Sequence, residues 1–227
     1  MTSIGFRIKP VRSTLPRDLI ARAARLPASN IGDVMNRNAC MVGTLRPYGK
    51  PGLAVAGPAF TVRVRAGDNL MLHKALDLAA PGDVVVCDAG GFLQQAILGE
   101  IMARYAVSRK IAAVIIDGAI RDADSLAQLD IQIYAYGATP AGPYKDGPGE
   151  IGYAVACGGQ VVQPGDLIVG DGDGIVVVPQ TEAETVIAEA ETHNAKEVKT
   201  MAAIAAGTVD RSWVDATLRA RGCQFAP

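Results

Sequence analysis

Two short apolar runs constrain the fold of this chain more than any other feature. Residues 84–87 read Val-Val-Val-Cys, and residues 112–117 are wholly apolar up to Asp117. Runs this short and this rich in β-branched residues are typical of strands that are covered on both faces. Helical patterns lie before, between and after them, at residues 69–80, 92–108 and 181–206. Because strands and helices interleave, we predict a single α/β domain that spans residues 1–227 without a linker.

Several local signals refine this outline. Leu53 to Val64 predicts one or two strands, with a break at Gly57-Pro58, and residues 137–159 predict a long loop with one short strand. The Gly-Asp-Gly-Asp-Gly run at residues 170–174 predicts a tight turn, because a strand and not a helix follows it. The long C-terminal helix has capping-box spacing at its start, Thr181 with Glu184, and a glycine at its end.

Composition excludes several classes of protein. Lys plus Arg is 22 and Asp plus Glu is 23, so that no broad basic surface for nucleic acid is expected. The four cysteines lack metal-ligand spacing, and we interpret them as small apolar residues in a reducing compartment. The first twenty residues lack the apolar run of a signal peptide, and no stretch of 18 apolar residues occurs. We therefore expect a soluble cytoplasmic protein that binds neither nucleic acid nor membrane.

One segment carries charges where a buried strand should end. The strand over residues 112–117 is followed within a few positions by Arg121, Asp122 and Asp124, and Gly99-Glu100 interrupts the apolar stretch before it. Clefts form beyond the carboxyl ends of parallel strands. The guanidinium of Arg121 is suited to a carboxylate, and Asp122 offers a hard oxygen ligand for a divalent cation. The alternative interpretation is an ordinary helix start with acidic residues in its first turn.

The two histidines do not indicate a hydrolase. His73 and His193 are far apart in sequence, and no serine or cysteine lies in a known nucleophile motif. We interpret His73 as a packed or hydrogen-bonded side chain, with a place at a site edge or subunit interface as the alternative.

The run Gly-Glu-Ile-Met at residues 99–102, together with Val-Ile-Ile-Asp-Gly-Ala-Ile-Arg-Asp at 114–122, resembles the signature of the RraA-like family. Residues 66–69, 81–83, 164–166 and 171–174 match further family landmarks in order, so that the resemblance covers roughly residues 30 to 207. The family includes the 4-hydroxy-4-methyl-2-oxoglutarate / 4-carboxy-4-hydroxy-2-oxoadipate aldolases and the RraA regulators of ribonuclease E. Some members carry a label as demethylmenaquinone methyltransferases.

The resemblance implies a fold and an assembly. The fold would be a β/β/α sandwich of the swivelling-domain type. The chain would form homotrimers, sometimes paired to hexamers, with the C-terminal helices at about residues 181–222 packed on a neighbouring subunit.

The resemblance also implies a set of site residues. Asp122 would bind Mg²⁺ or Mn²⁺ directly, and Arg121 would bind the 2-oxo acid and stabilise its enolate. The backbone amides of Ile101 and Met102, which follow Gly99, would hold the substrate carboxylate. Two acidic residues would hold metal-bound water, namely Glu100 and, from a neighbouring subunit, Glu197.

The implied activity is a metal-dependent lyase that forms pyruvate enolate from small 2-oxo diacids, with oxaloacetate decarboxylase activity. The alternative is an RraA-type regulator that binds a ribonuclease without catalysis. One position departs from the aldolase pattern, because Ser125 stands where many aldolases carry an acid and the acid is at Asp124 instead. This form is closer to regulator-type members and bears on the substrate more than on the metal.

Overall fold

The computed structural model of the chain describes residues 3–225, and it confirms the α/β class. The strands are β1 (Phe6–Ile8), β2 (Arg46–Pro47), β3 (Val55–Val64), β4 (Val84–Leu98), β5 (Ala113–Ile120), β6 (Gln132–Ala138), β7 (Gly149–Ile151), β8 (Val155–Cys157), β9 (Gln160–Val162), β10 (Leu167–Gly170) and β11 (Ile175–Val178). The helices are α1 (Arg17–Ala23), α2 (Ala28–Val34), α3 (Leu70–Leu78), α4 (Glu100–Ser108), α5 (Ala123–Leu126), α6 (Ala183–Ala205) and α7 (Ser212–Ala220).

The centre of the sheet is parallel. Strands β3, β4, β5 and β6 are neighbours in that order and run in the same direction. The edges are antiparallel, because β7 and β10 pair with different parts of β3, and β2 pairs with β6. The parallel order brings the carboxyl ends of β4 and β5 side by side, and the candidate site forms there.

Two different layers cover the two faces of the parallel sheet. Val85 and Val114 pack toward α3 and α4, whereas their neighbours Val84 and Ala113 pack toward β8–β11. Alternate residues of a strand point to opposite faces, so that both sets are removed from water. This is the physical reason why the first four residues of β4 and of β5 are all apolar, and it gives the predicted β/β/α layering.

A third apolar cluster lies outside the second layer. Helices α1, α2 and the first half of α6 pack on the outer face of the β10–β11 hairpin, with Ile31 and Ile187 fully buried between them. The hairpin turn is the Gly-Asp-rich run, as predicted. Within residues 3–225, no helix combines the length and apolar character that spanning a membrane requires.

The predicted helix over residues 92–108 is wrong in its first half. Strand β4 continues to Leu98, and helix α4 begins only at Glu100. The extension of β4 pairs with β5 through three register shifts, and Gly90 and Gly91 adopt positive φ where it departs from regular pairing. Long-range pairing with β5 therefore overrides the helical propensity of the Leu-Gln-Gln-Ala segment.

Two smaller predictions are also wrong. Strand β3 is continuous through Gly57-Pro58, because it changes partner there: residues up to Pro58 pair with β10, and residues from Ala59 pair with β4. Helix α6 begins at Ala183, and its first turn has no side-chain cap, so that the capping box does not form. Gly207 has a φ of +68° just beyond the last helical turn, in agreement with its predicted role as a C-cap.

The end of the chain leaves large apolar side chains in water. From the middle of α6 onward the exposed residues include Val198, Met201, Ile204 and Trp213, and α7 has no buried residue. Contiguous exposed apolar surface is typical of a surface that another molecule covers. The packing of these helices on a neighbouring subunit stays a prediction.

A hydrogen bond from Tyr134 connects the sheet to the β10–β11 hairpin, and we expect its removal to lower the stability of the fold. Tyr134 is fully buried in β6, and its hydroxyl donates a hydrogen bond of 2.8 Å to the Asp171 carbonyl in the hairpin turn. We expect Tyr134→Phe to lower the free energy of unfolding by about 1 kcal/mol, measured by urea denaturation. Tyr144→Phe is the control, because Tyr144 is exposed and its hydroxyl has no hydrogen bond partner among the described residues, and we expect a change below about 0.5 kcal/mol. Equal losses in both variants would contradict this account.

Candidate active site at the carboxyl ends of β4 and β5

Gly99 joins the end of β4 to the start of α4, and the site is built around its missing side chain. A Cβ at this position would lie 2.5 Å from Oδ2 of Asp122 and 2.9 Å from Nε of Arg121. The backbone of Gly99 is extended, with φ −142° and ψ −170°, so that the requirement for glycine is one of space. The absence of a side chain allows the two charged residues that follow β5 to approach the start of α4.

Arg121 and Asp122 follow β5 directly. The Arg121 amide donates to the Leu98 carbonyl at 2.9 Å, which fastens the ends of the two strands together. Asp122 then adopts a left-handed conformation with φ +59° and ψ 38°, which aspartate tolerates better than most residues. Its Oδ2 accepts a hydrogen bond of 2.9 Å from the Glu100 amide and lies 3.5 Å from Nε of Arg121.

A cavity of about 280 Å³ opens beside these residues. Ile101 and Met102 line it as the second and third residues of α4, where backbone amides have no partner inside the helix. The helix dipole places partial positive charge at the same end. Arg121 lines the cavity as well as a shallower depression that contains Asp122. The arrangement is therefore suited to an anionic group within the cavity and a cation next to it.

The wall contributed by α3 and the following loops adds polar groups. Lys145 and His73 both line the cavity. Burial, together with the positive charge of Lys145, lowers the pKa of His73 below its ordinary value, so that the imidazole is neutral at pH 7. The amide group of Asn69 donates to the Ile97 carbonyl at 3.0 Å, while its buried Oδ1 has no partner among the described residues.

Glu100 lies at the rim and is held by its neighbours. Its Oε1 accepts a hydrogen bond of 2.7 Å from Nε of Arg104, and the Ser125 hydroxyl is a second partner. The Arg104 bond, followed by the Ser125 bond, lowers the pKa of Glu100 below its usual range. Ser125, which departs from the aldolase pattern, therefore helps to fix this carboxylate.

The structure thus brings together six of the predicted residues: Gly99, Glu100, Ile101, Met102, Arg121 and Asp122. It does not bring Glu197 to this site in the same chain, because that carboxylate accepts from Asn30 and lies against His193. Asp117 also lies elsewhere. It is inside β5 and not at its end, and burial followed by the charge of Asp88 raises its pKa above the usual range.

Three polar lining residues were not among the predicted site residues, although a place at a site edge was the alternative interpretation of His73. Asn69 and His73 are four positions apart, so that they share one face of α3, and this spacing is a signal that could have indicated them. Lys145 lies in the irregular segment after β6, where no periodicity relates the sequence to a position in space. Only the folded chain brings it to the cavity.

Because Asp122 and Arg121 lie so close to Gly99, we expect a side chain at this position to lower the stability of the fold. In Gly99→Ala, the new methyl group would displace the Asp122 carboxylate and the Arg121 guanidinium. We expect the free energy of unfolding to fall by about 1–3 kcal/mol, the usual cost of overpacking, measured by urea denaturation. Gly172→Ala is the matched control, because a Cβ there has no atom within 4 Å. An unchanged stability of Gly99→Ala would contradict the steric account.

The chain is similar to known proteins over most of its length. The model of the RraA-like family, described as Aldolase/RraA, matches residues 28–177. A protein of Halalkalibacterium halodurans, provisionally named a 4-hydroxy-4-methyl-2-oxoglutarate aldolase, is 39% identical over 173 residues, which are 76% of this chain and 82% of that protein.

Solved structures give the same result at the level of the fold. RraAS2 of Streptomyces coelicolor, described as an unusual member of the RNase ES inhibitor RraA protein family, is 26% identical with a TM-score of 0.74 over 84% of this chain and 98% of its own. The RNA-processing inhibitor RraA from Thermus is 30% identical with a TM-score of 0.63 over 67% of this chain and 92% of its own. The sequence match across the site and the shared fold together show that this chain belongs to the RraA-like family.

Proposed function

We propose that this protein is a divalent-metal-dependent carbon–carbon lyase that forms pyruvate from small 2-oxo diacids. The substrates would be 4-hydroxy-4-methyl-2-oxoglutarate and 4-carboxy-4-hydroxy-2-oxoadipate, and oxaloacetate would be decarboxylated at the same site. The name of the Halalkalibacterium halodurans relative supports the aldolase assignment. One structural observation carries the proposal: the free amides of α4, Arg121 and Asp122 converge around Gly99.

The residues present are chemically suited to Mg²⁺ or Mn²⁺. Asp122 uses Oδ2 to accept from the Glu100 amide, and among the described residues its Oδ1 has no hydrogen bond partner. Mg²⁺ typically binds one or two carboxylates and keeps several waters, so that a single partly exposed aspartate is an adequate ligand. When bound, the ion would act as a Lewis acid toward the 2-oxo group.

The chain's own groups would bind and orient the substrate. The amides of Ile101 and Met102 would donate to the carboxylate next to the 2-oxo group, at the positive end of α4. The guanidinium of Arg121 would stabilise the oxygen on which negative charge develops. Lys145, which also lines the cavity, would pair with the second carboxylate and would thereby favour diacids over monoacids.

Cleavage needs a defined flow of electrons and protons. The C4 hydroxyl would give its proton to a water molecule positioned by Glu100, and its oxygen would form a carbonyl, so that the C4 fragment leaves as a second 2-oxo acid. The electron pair of the broken C3–C4 bond would move to the 2-oxo group as an enolate. Protonation of C3 then gives pyruvate. The lowered pKa of Glu100 makes its carboxylate a weak base, so that positioning a water molecule suits it better than accepting the proton itself.

We further propose that the active assembly is a homotrimer or a hexamer. The exposed apolar side chains of α6 and α7 would be covered by a neighbouring subunit. Glu197 of one subunit would then lie near the Asp122 site of the next.

Metal dependence is the first test of the lyase assignment. We expect pyruvate release from 4-hydroxy-4-methyl-2-oxoglutarate and from oxaloacetate with Mg²⁺, and its loss with EDTA, measured by a coupled lactate dehydrogenase assay. Asp122→Asn should lower the rate by at least about 100-fold, because the loss of one preorganised charged group at a reacting centre commonly costs this much. Asp124→Asn, which changes an exposed neighbour on α5, should retain activity. Full activity with EDTA, or in Asp122→Asn, would contradict the proposal.

A variant of Lys145 and a trapping experiment distinguish the metal-dependent mechanism from a mechanism that forms an imine on a lysine. We expect Lys145→Met to raise the KM for 4-hydroxy-4-methyl-2-oxoglutarate about tenfold or more with a smaller effect on kcat, because the charge would be used in binding. Borohydride reduction in the presence of pyruvate should leave the mass of the wild-type chain unchanged. A mass increase that disappears in Lys145→Met would instead identify Lys145 as a Schiff-base residue.

The solved relatives favour a second candidate function. Two of them are named as inhibitors of RNA processing or of a ribonuclease. As a regulator, this chain would bind its ribonuclease partner equally well with EDTA present and after Asp122→Asn. Binding under these conditions, with no pyruvate release from either substrate, would favour the regulator over the lyase.

A further inference from the structure

A second and larger cavity lies at the opposite end of β4 from the candidate active site. Its volume is about 610 Å³, which is within the range of cavities that hold small molecules. Asp83 lines this second cavity and directly precedes β4, whereas the candidate active site lies at the carboxyl end of that strand. Among the described residues, none lines both cavities.

A glycine allows one wall of the second cavity to form. The turn before β4 lies against β3 where that strand changes partner, and a Cβ at Gly57 would overlap the Gly82 carbonyl oxygen. Pro58 and Ala59 follow in β3, and they line the cavity together with Ile20 of α1. This wall is therefore apolar.

The segment before α1 also lines the second cavity, through residues 11–13. Hydrogen bonds on either side of these residues hold the segment in place. The Lys9 amide donates to the Ile151 carbonyl at 2.9 Å. The Thr14 amide donates to Oε1 of Gln180 at 3.2 Å. A segment that is fixed at both ends gives the cavity a defined shape.

Two arginines of the second cavity lack partners. Arg12 and Arg17 both line it, and among the described residues neither guanidinium forms a hydrogen bond or an ion pair. By contrast, Arg7, Arg22 and Arg63 each pair with a carboxylate. The planar guanidinium is suited to a carboxylate or a phosphate group. The second cavity is therefore suited to an oxyanion.

Ser13 and Asp83 add groups of opposite hydrogen-bonding character. Oγ of Ser13 accepts from the Leu15 amide at 3.1 Å, so that its hydroxyl hydrogen is free to donate. Oδ2 of Asp83 accepts from the Ala80 amide at 2.8 Å, and its Oδ1 has no hydrogen bond partner among the described residues. The cavity therefore combines donors for an anion with a carboxylate that can accept from a hydroxyl group.

We propose that the second cavity binds a phosphomonoester that carries hydroxyl groups, of the nucleoside monophosphate class. The phosphate dianion would pair with Arg12 and Arg17, and the ribose hydroxyls would donate to Asp83. The base would contact the apolar wall at Pro58 and Ile20. An inorganic anion would pair with the arginines alone and would be repelled by Asp83, so that the lining groups together favour the larger molecule.

The test uses the full chain with Arg121→Ala and Lys145→Met, so that the candidate active site lacks its arginine and its lysine. Adenosine 5′-monophosphate, inorganic phosphate and adenosine are each titrated by isothermal titration calorimetry. We expect one molecule of the nucleotide per chain, with the two smaller probes bound at least about tenfold more weakly. Adding Arg12→Met or Arg17→Met should weaken nucleotide binding at least about tenfold, because each removes a charge-assisted hydrogen bond.

Arg25→Met in the same background is the matched control. Arg25 is exposed, lies just after α1 and does not line the second cavity, so that this variant should bind the nucleotide as before. The two test arginines are exposed as well, and urea denaturation should give the same stability for all three variants.

Three results would contradict the proposal. Absence of nucleotide binding, or unchanged binding after both Arg12→Met and Arg17→Met, would overturn the second site. Inorganic phosphate that binds as tightly as the nucleotide would overturn the assignment to a nucleoside monophosphate. None of these results bears on the lyase proposal, which depends on the other cavity.

Discussion

The parallel pairing of β4 with β5 is the interaction on which the rest of the structure depends. The first four residues of each strand are buried, by helices α3 and α4 on one face and by β8–β11 on the other. Their pairing extends through irregular registers to Leu98 and Ile120. The next residues along the two strands are Gly99 and Arg121, so that the same pairing that forms the core also determines where the charged groups meet.

Three sources of charge are combined at this edge without a buried ion pair. The amides at the start of α4 contribute partial positive charge, Arg121 contributes a full one, and Asp122 stays partly exposed. Full burial of a carboxylate would cost more hydration energy than the electrostatic attraction to a single arginine would offset. Asp122 lies near solvent, and its Oδ2 accepts a hydrogen bond from the Glu100 amide. Its Oδ1 therefore stays available at little cost in stability.

Helix α6 serves two parts of the molecule. Its first half buries Ala183, Ile187 and Ala190 in the third apolar cluster. Its second half exposes apolar side chains, and near the boundary between the two halves Glu197 accepts a hydrogen bond of 2.7 Å from Asn30 of α2.

Much of the fold and of the candidate site could be predicted from local sequence. Strands β4 and β5 were detectable because both faces are buried, and Arg121-Asp122 was detectable because charge is unusual directly after such a strand. The first half of the predicted helix over residues 92–108 was wrong, because pairing with β5 comes from residues more than twenty positions away, and no local pattern reports it.

The sequence by itself determined the α/β class, the glycine and the charged pair of the site, since these depend on residue type and on short-range periodicity. Only the tertiary structure decided that Lys145 lines the cavity and that Glu197 lies against His193 in its own chain. Both outcomes depend on how distant segments pack. Such packing is decided by the burial of apolar surface over the whole chain and not by the residues next to Lys145 or Glu197.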